Sequence, residues 1–455
     1  MIARRLAALA ALCATLLSSC VSTAPDEGAL STDTKDAAET TAPEETTAPE
    51  TEDIMPETFS PKAVIVNKDG ARGVVSYVID DGFQPTASFA KEMLEKYENL
   101  HVSFAAQTTK IATLKQTRDE AGTLVYQMDE NGKYVYTAKQ DVVDFWRDIL
   151  SAGKSEMVSH THTHVFWGNN DDGGRFEYMV KNQPKPATSE FFPVGSVTKE
   201  LYASKQILND LFGQDCRALV EPGIGVVMTD QTVDGKTVST YKHHFDALVK
   251  TAMEKGEYLG SRYTFTVTDT NSASKVTTYQ KMKEQAYRAR IPAFMILDNN
   301  AGENIENWTA YIDHALDAGG WACFCIHAIS PPTTGQGGHM ITKERAEALF
   351  AYTAEMGDDV WVATLTDAMM YYNEWSTAQV KASYEKGTIT VSLTDKEVDG
   401  VYDMPLTVRV TVPEVWTGAE VNGEALTVHE ENGSKFIYVN VIPDTEDVTV
   451  QGIAG

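Results

Sequence analysis

Residues 77–82 read Tyr77-Val78-Ile79-Asp80-Asp81-Gly82, an apolar run that ends on two carboxylates and a glycine. Apolar and β-branched residues in so short a run predict a buried strand with the aspartates at its carboxyl end. Adjacent residues on a strand face opposite sides, so one aspartate could bind a metal while the other acts as a base. On its own, Asp-Asp-Gly is also common in solvated turns.

A second motif favours a functional site, and not a solvated turn, at Asp80 and Asp81. The segment Ser159-His160-Thr161-His162-Thr163-His164 holds three of the 10 histidines of the chain. In a helical turn His160 and His164 would share one face, whereas in an extended segment all three histidines would share a face. A histidine-rich surface tract is the plain alternative, but apolar residues flank the motif on both sides. Imidazoles plus one carboxylate are typical of a catalytic zinc shell that keeps an open position for water.

A third motif supplies a candidate acid. The apolar run Trp321-Ala322-Cys323-Phe324-Cys325-Ile326 ends on His327, as the earlier run ends on Asp80. A strand-end histidine can be structural, but α/β barrels gather their catalytic groups at the carboxyl ends of strands. A metal-dependent hydrolase also needs a proton acceptor and a donor for the leaving group. Cys323 and Cys325 would share one strand face, and we expect buried thiols there instead of a disulfide.

Together, the ordered motifs resemble those of the polysaccharide deacetylases of carbohydrate esterase family 4, with their NodB-homology domain. The resemblance rests on the Asp-Asp-Gly strand, on His-Thr-x-x-His at 160–164 and on the strand that ends at His327. Residues 350–375 resemble the terminal strand and helix of that family. The resemblance covers about residues 63–376 and implies an α/β fold, a distorted (β/α) barrel.

The resemblance also implies roles for individual residues. A divalent ion, usually Zn²⁺ or else another divalent transition metal, would be held by three side chains: Asp81, His160 and His164. Asp80 would be the base and His327 the acid, and Asp298 is the candidate for the aspartate that tunes the acid. Trp308 would either wall the acetyl pocket or lie in the core. The implied reaction is hydrolysis of N- or O-linked acetyl groups on an extracellular carbohydrate.

One motif departs from the family's pattern. Where the family commonly has Arg-Pro-Pro-Tyr-Gly, this chain has Glu221-Pro222-Gly223-Ile224-Gly225. A glutamate beside the base would raise the pKa of the base, unless Arg217 or Arg262 supplied the missing positive charge. The interpretation we favour places Glu221 in the cleft, bound to a hydroxyl or amine of the substrate. The departure also leaves open another function, a glycan-binding surface lipoprotein on an altered deacetylase scaffold.

The N-terminal residues have the pattern of a bacterial lipoprotein signal. Residues 1–20 combine Arg4 and Arg5 with a short apolar stretch, and Leu17-Ser18-Ser19-Cys20 would make Cys20 the lipidated residue. Residues 21–60 are rich in Thr, Glu, Ala and Pro and predict a disordered acidic tether. We therefore expect an extracytoplasmic protein that meets the membrane only through its lipid anchor. The formal net charge of −27 argues against nucleic acid as a partner.

The residues after the tether are too many for one ordinary core, and their pattern changes once. From 61 to 376, strand-like runs alternate with helical runs such as 86–96, 141–152, 196–211 and 343–356, which predicts the deacetylase-like barrel domain. From 377 to 455 the apolar period is two, and Asn-Gly pairs separate the runs, which predicts a small all-β sandwich. A polar stretch at 116–139 predicts an inserted hairpin beside the site.

Overall fold

The computed structural model describes residues 55–120, 122, 124–162, 164, 166–169, 176–180, 183–186, 196–224, 231–233, 236–238, 257–265, 272–284, 290–296, 305–330, 340–397 and 400–455. The predicted signal at 1–20 with Cys20, and nearly all of the predicted tether at 21–60, lie outside these residues. Residues 53–455 form one compact unit. In the described part of the chain, no helix combines the length and the apolar character that a membrane span requires.

Seven parallel strands close into a barrel. In chain order they are β1 (Gly73–Ile79), β2 (Val102–Ala106), β3 (Ser155–Ser159), β4 (Ala218–Ile224), β5 (Gly260–Phe265), β6 (Arg290–Met295) and β7 (Trp321–Ile326). Each strand pairs with the next along the chain, and β7 pairs with β1 to close the barrel. An eighth strand, β8 (Val360–Val362), pairs with the first half of β1. The predicted (β/α) barrel is confirmed.

The apolar runs explain why these strands lie at the centre. Every residue of β1 and β7 is buried, as expected for parallel strands that are covered on both faces. The surrounding helices are α1 (Gln84–Lys96), α2 (Gln140–Leu150), α3 (Ser196–Phe212), α4 (Tyr279–Glu284), α5 (Ile305–Ala318), α6 (Lys343–Ala354) and α7 (Leu365–Thr377). Helices at the four predicted positions are confirmed, with ends that differ by one or two residues.

The predicted insertion between β2 and α2 is also confirmed. Ala112–Leu114 pairs antiparallel with Tyr136–Ala138, and Gln116–Arg118 pairs antiparallel with Leu124–Tyr126. Gly132 has φ 75° in the turn between Asp129 and Lys133, a left-handed conformation that glycine adopts without steric cost.

Further short elements lie outside the barrel. The additional strands are Phe166–Asn169, Phe176–Val180, Gln183–Pro186, Gln231–Val233, Lys236–Val238, Ala328–Ser330 and Met340–Thr342. The 3₁₀ turns are Lys68–Gly70, Thr108–Lys110, Ser272–Lys275 and Gly357–Asp359. The Thr108–Lys110 turn matters for the site because it follows β2 closely.

The C-terminal region consists of two antiparallel sheets. Its strands are β9 (Gln379–Glu385), β10 (Thr388–Thr394), β11 (Leu406–Thr411), β12 (Trp416–Val421), β13 (Glu424–Leu426), β14 (His429–Glu431), β15 (Ser434–Val441) and β16 (Val448–Ala454). One sheet has the order β9-β10-β16-β12-β13, and the other joins the strand Ala63–Ile65 to β11-β15-β14. Asn422 and Asn432 have φ 52° and 51°, as Asn-Gly hairpin turns require. The predicted all-β region is confirmed.

The barrel and the C-terminal sheets share one hydrophobic cluster. It includes Val74 and Met369 from the barrel part and Val408 and Ile437 from the sheets. The strand Ala63–Ile65, which precedes the barrel, pairs with β11. The division at residue 376 therefore stays a prediction, since apolar contacts continue across it.

Glu374 of α7 is a buried carboxyl group within this shared region. Its Oε2 accepts a hydrogen bond of 2.9 Å from the backbone N–H of Met404, and its Oε1 has no hydrogen-bond partner among the described residues. Burial raises the pKa of Glu374 to about 9, with the nearby Asp395, Asp403 and Glu397 acting in the same direction. The native state therefore binds a proton that the unfolded chain releases above its ordinary pKa of 4.5.

This raised pKa predicts a pH dependence of stability. Between about pH 4.5 and pH 9 the native state holds the extra proton, so the free energy of unfolding should fall as the pH rises. Glu374→Gln keeps an acceptor for Met404 and removes the titration. We expect it to be more stable than the wild type at pH 8, by on the order of 1 kcal/mol or more. Chemical denaturation of both proteins at pH 5 and pH 8 tests this. The same change in the free energy of unfolding between the two pH values in both proteins would contradict it.

Candidate active site

A sharp turn at the end of β1 brings Asp80 and Asp81 to the same place. Asp81 and Gly82 have φ 67° and 62°, a left-handed conformation that aspartate adopts more readily than most residues. Both carboxylates consequently approach one imidazole, because the Nε2 of His160 lies 3.9 Å from Asp80 Oδ2 and 3.6 Å from Asp81 Oδ1. The alternation of a regular strand, which would separate the two aspartates, ends before this point.

His160, Thr161, His162 and His164 lie in neither a helix nor a strand, so both alternatives drawn from the spacing of the histidines are wrong. The segment follows the end of β3, and Thr161 and His164 have φ 63° and 57°. Such left-handed residues interrupt both a helix and a strand. They fold the segment back so that the rings of His160 and His164 meet edge to face, with centroids 4.7 Å apart.

His160 has the protonation state that a metal ligand needs. Its side chain is buried, and its Nδ1 lies 2.9 Å from the backbone oxygen of Val220. Burial lowers the pKa of His160 to about 4, even though the carboxylates of Asp80 and Asp81 oppose this shift. The neutral ring therefore donates its Nδ1 proton to Val220. Its Nε2 lone pair faces two carboxylates and has no hydrogen-bond partner among the described residues.

Asp81, His160 and His164 fit a divalent cation. Nε2 of His164 lies 3.3 Å from Asp81 Oδ1, and Nε2 of His160 lies 3.6 Å from the same oxygen. Ligands about 2.0–2.1 Å from a tetrahedral zinc ion are separated by roughly 3.3 Å. A cation between them would also remove the repulsion between the Nε2 lone pair of His160 and the Asp81 carboxylate. The donor set and the distances therefore match the predicted metal site.

The charge states of the other two side chains agree with this fit. Burial favours the neutral acid form of Asp81, but the neighbouring histidines and Lys110 outweigh it, and the pKa of Asp81 is lowered. Burial lowers the pKa of His164. A carboxylate and neutral imidazoles are the forms that bind metals.

His162 makes a different contact. Its buried side chain places Nδ1 2.8 Å from the hydroxyl of Thr108. It does not belong to the Asp81, His160 and His164 group, which is one of two potential metal-binding groups among the described residues. The structure therefore favours His164 over His162 as the third ligand.

Asp80 is paired with an arginine from another strand. Arg262, on β5, is fully buried and donates from Nη2 to Oδ1 of Asp80. Arg217, the other candidate for this charge, pairs instead with Asp215. The positive charge that the family commonly takes from the motif at Glu221 is thus supplied here by Arg262.

Glu221 is also paired with a cation. This pairing fits neither of the two roles predicted for Glu221 from the sequence. Arg290 on β6 donates to Glu221 through Nε and Nη2, each at 2.8 Å, and Ser261 donates to Oε1 at 2.6 Å. The Glu221 side chain is 6% exposed. A carboxylate paired in this way is not an uncompensated charge beside the base. It is also not positioned as an open binding group for a substrate.

The remaining predicted residues lie in different places. His327 follows β7, and its Nδ1 lies 3.8 Å from Cys325 Sγ. Trp308 is fully buried in the hydrophobic core, with the guanidinium of Arg345 4.6 Å from its ring centroid. Asp298 lies outside the described residues. The free thiols Cys216, Cys323 and Cys325 are buried, as expected for the last two.

Two residues after β2 hold Asp81, and sequence reasoning missed them. Gln107 donates from Nε2 to Asp81 Oδ1 at 2.6 Å, and Lys110 donates to the backbone oxygen of Asp81 at 2.6 Å. The signal for them was present, since polar residues that directly follow a barrel strand lie at the same end as the catalytic groups.

The contact of Gln107 predicts a measurable effect on metal affinity. Gln107→Leu removes the hydrogen bond to the ligand oxygen, and loss of such an outer contact typically weakens metal binding about 10–100-fold. Competition with a chelator measures the change. Gln140→Leu is the matched control, since it removes an exposed Gln–Asp hydrogen bond of 2.7 Å on α2, and its affinity should equal that of the wild type. Equal affinities in both variants would exclude a role for Gln107.

Comparisons with known proteins give weak similarities. No family model matches the chain. A gellan lyase from a Bacillus species is 28% identical over 138 residues, an alignment that covers 29% of this chain and 6% of that protein.

Solved structures with a related arrangement include several described as CE4 proteins or deacetylases. A CE4 family pseudoenzyme from Bacillus anthracis is 11% identical, with a TM-score of 0.31 and coverage of 65% of each chain. The Xyl-CE4 domain of a xylanase from the hindgut metagenome of Trinervitermes trinervoides is 10% identical, with a TM-score of 0.29 and coverage of 65% of this chain and 88% of that one. The peptidoglycan deacetylase PdaC from Bacillus subtilis is 11% identical, with a TM-score of 0.29 and coverage of 66% and 91%.

The likeness to these deacetylases lies in the chain's own residues. Five polar side chains from three ordered motifs converge at one end of a (β/α) barrel: Asp80, Asp81, His160, His164 and His327. In the order of these motifs and in its barrel fold, the chain resembles the polysaccharide deacetylases of carbohydrate esterase family 4.

Proposed function

We propose that this protein is a metal-dependent hydrolase that removes N- or O-linked acetyl groups from a carbohydrate. The proposal rests on one observation, which is that two clusters of side chains lie next to each other. One is the Asp81, His160 and His164 cluster with metal-binding geometry, and the other contains Asp80 and His327. The first would bind the ion, and the second offers a carboxylate and an imidazole for proton transfer.

Each protein group has a defined task in this reaction. A divalent ion held by the cluster would act as a Lewis acid towards a carbonyl oxygen and would make a water molecule more acidic. Asp80 accepts the proton of the attacking water, and the ion pair with Arg262 fixes the orientation of its carboxylate. His327 donates a proton to the departing amine or alcohol. General acid and base groups of this kind typically contribute about 10²–10⁴-fold each.

The contacts of Glu221 weaken the case for the glycan-binding alternative. That alternative was motivated by a glutamate where the family commonly has an arginine. Arg262 pairs with Asp80, and Arg290 pairs with Glu221. The base therefore has a cationic partner, and the substitution does not by itself disable the site.

We also propose that the enzyme works outside the cytoplasm on a membrane-anchored tether. The support is the lipoprotein pattern that ends at Cys20 and the acidic repeat sequence that follows it. A tether of this composition would give the barrel reach from the membrane surface towards a glycan. Metabolic labelling with a radioactive fatty acid tests the anchor, and Cys20→Ser should abolish the label.

Release of acetate from a panel of glycans tests the function. The panel contains peptidoglycan, chitin oligomers, acetylated plant glycans and acetylated host glycans. We expect acetate from at least one of them, dependent on a divalent metal and lost in Asp80→Asn. Tight binding of a glycan without release of acetate from any acetylated substrate would instead favour the glycan-binding function.

A further inference from the structure

A second group of metal-binding side chains lies beside the first. It consists of Asp80 at the end of β1 together with Cys325 and His327 at the end of β7. Asp80 and Cys325 are buried, and His327 is half-buried. The proposed reaction uses Asp80 and His327, but it gives no task to the thiol that lies between them.

The thiol of Cys325 donates a hydrogen bond to Asp80, and its distances to the other two side chains are close to those of a coordination shell. Sγ of Cys325 lies 3.4 Å from Asp80 Oδ2 and 3.8 Å from His327 Nδ1. With a metal–sulfur distance of about 2.3 Å and metal–oxygen or metal–nitrogen distances of about 2.0–2.1 Å, tetrahedral geometry separates sulfur from the other ligand by roughly 3.5 Å. Arg262 pairs with Oδ1 of Asp80, so the oxygen that faces the thiol is the other one.

The ligand set also selects a class of ion. A thiolate and an imidazole prefer zinc and softer divalent ions, whereas an all-oxygen shell suits magnesium or calcium. Binding displaces the thiol proton, which leaves to solvent, and the sulfur becomes an anionic ligand. No change of oxidation state is involved.

We propose that Asp80, Cys325 and His327 form a second, inhibitory site for a thiophilic divalent cation, such as Cd²⁺ or excess Zn²⁺. The inhibitory part rests on the proposed function, because an ion at this site engages both the base and the acid. The binding part depends only on the three side chains. Metal excess should therefore slow the reaction that one ion per chain supports.

Titration of the full-length protein with Cd²⁺ tests the binding part. Ultraviolet absorption reports sulfur-to-cadmium charge transfer, and equilibrium dialysis counts the bound ions. We expect a charge-transfer band and about two ions per chain, since each three-ligand group would hold one. Absence of the band from the folded wild-type protein, or a single bound ion, would overturn the proposal without the use of any variant.

Variants assign the band to one sulfur. Cys325→Ser should lose the band and one ion, whereas Cys323→Ser, two residues earlier on the same strand and equally buried, should keep both. Cys325→Ala gives the same comparison if the serine disturbs folding. A band that persists in both Cys325 variants would come from another thiol and would reject the site.

His164→Ala separates this proposal from the function itself. This variant should lose the ion of the first cluster and keep the sulfur band. Loss of the band as well would mean that the two groups form one site, which contradicts the proposal. Persistence of the band in a protein that releases no acetate from any glycan would support the second site while the proposed function fails.

Discussion

Asp80→Asn is expected to keep its bound metal and to lose about 10²–10⁴-fold in kcat, the range typical of lost acid–base catalysis. Asparagine retains an oxygen that can accept a hydrogen bond from Arg262, but it cannot take a proton from water. Metal content is expected to remain because the ligand set lies on Asp81, His160 and His164. Steady-state kinetics and elemental analysis on the same preparation measure both quantities.

An exposed pair elsewhere provides the control for this variant. Asp359 lies 3.4 Å from Arg72, and the two side chains are 60% and 48% exposed. Asp359→Asn makes the same chemical change in an Asp–Arg pair whose arginine precedes β1, at the end of that strand opposite to Asp80, and its kcat should equal that of the wild type. Normal turnover by Asp80→Asn would mean that Asp80 is not the base.

Arg262→Met is expected to destabilise the protein strongly. It leaves the carboxylate of Asp80 buried without its cation, and loss of one partner of a buried ion pair typically costs about 3–5 kcal/mol. The side chains of Arg262 and Asp80 are 0% and 3% exposed, so solvent offers little compensation. Chemical denaturation measures the free energy of unfolding.

Two further variants show whether this loss of stability comes from the Arg262–Asp80 pair itself. Arg72→Met breaks two exposed pairs, with Asp359 and with Asp317, and surface pairs of this kind contribute about 0–1 kcal/mol each. The double variant Arg262→Met with Asp80→Asn removes both charges and should be more stable than Arg262→Met alone. A double variant as unstable as the sum of its single changes would show that the two residues are not coupled.

The barrel could be predicted because its strands are continuous apolar runs. In β1 and β7 every residue is buried, so burial on both faces leaves a simple signature that needs no partner to be recognised. The strand-end positions of Asp80 and His327 follow from the same runs. The Asn-Gly turns of the C-terminal sheets are equally local, because the turn type depends on two adjacent residues.

The conformations inside the site could not be predicted in the same way. The left-handed backbone at Asp81, Thr161 and His164 is uncommon for residues other than glycine, and no local motif here signals it. Spacing alone therefore suggested a helix or a strand for the histidine segment, and both were wrong.

The ion pairs escaped prediction for a related reason. Arg262 lies on β5 and Arg290 on β6, and their partners Asp80 and Glu221 are far away in the sequence. Which strand supplies the charge depends on the order of strands around the barrel and on their register. No local motif carries that information, so the partner of Asp80 could be narrowed to Arg217 or Arg262 but not chosen.

Elemental analysis of three proteins tests whether Asp81, His160 and His164 form the metal site. The wild type, His164→Ala and His162→Ala are dialysed under the same mild conditions and analysed for zinc and similar ions. We predict about one equivalent per chain in the wild type and in His162→Ala, and loss of most of the metal in His164→Ala. Full metal content in His164→Ala would contradict this assignment, and loss of metal in His162→Ala would point to His162 as the third ligand.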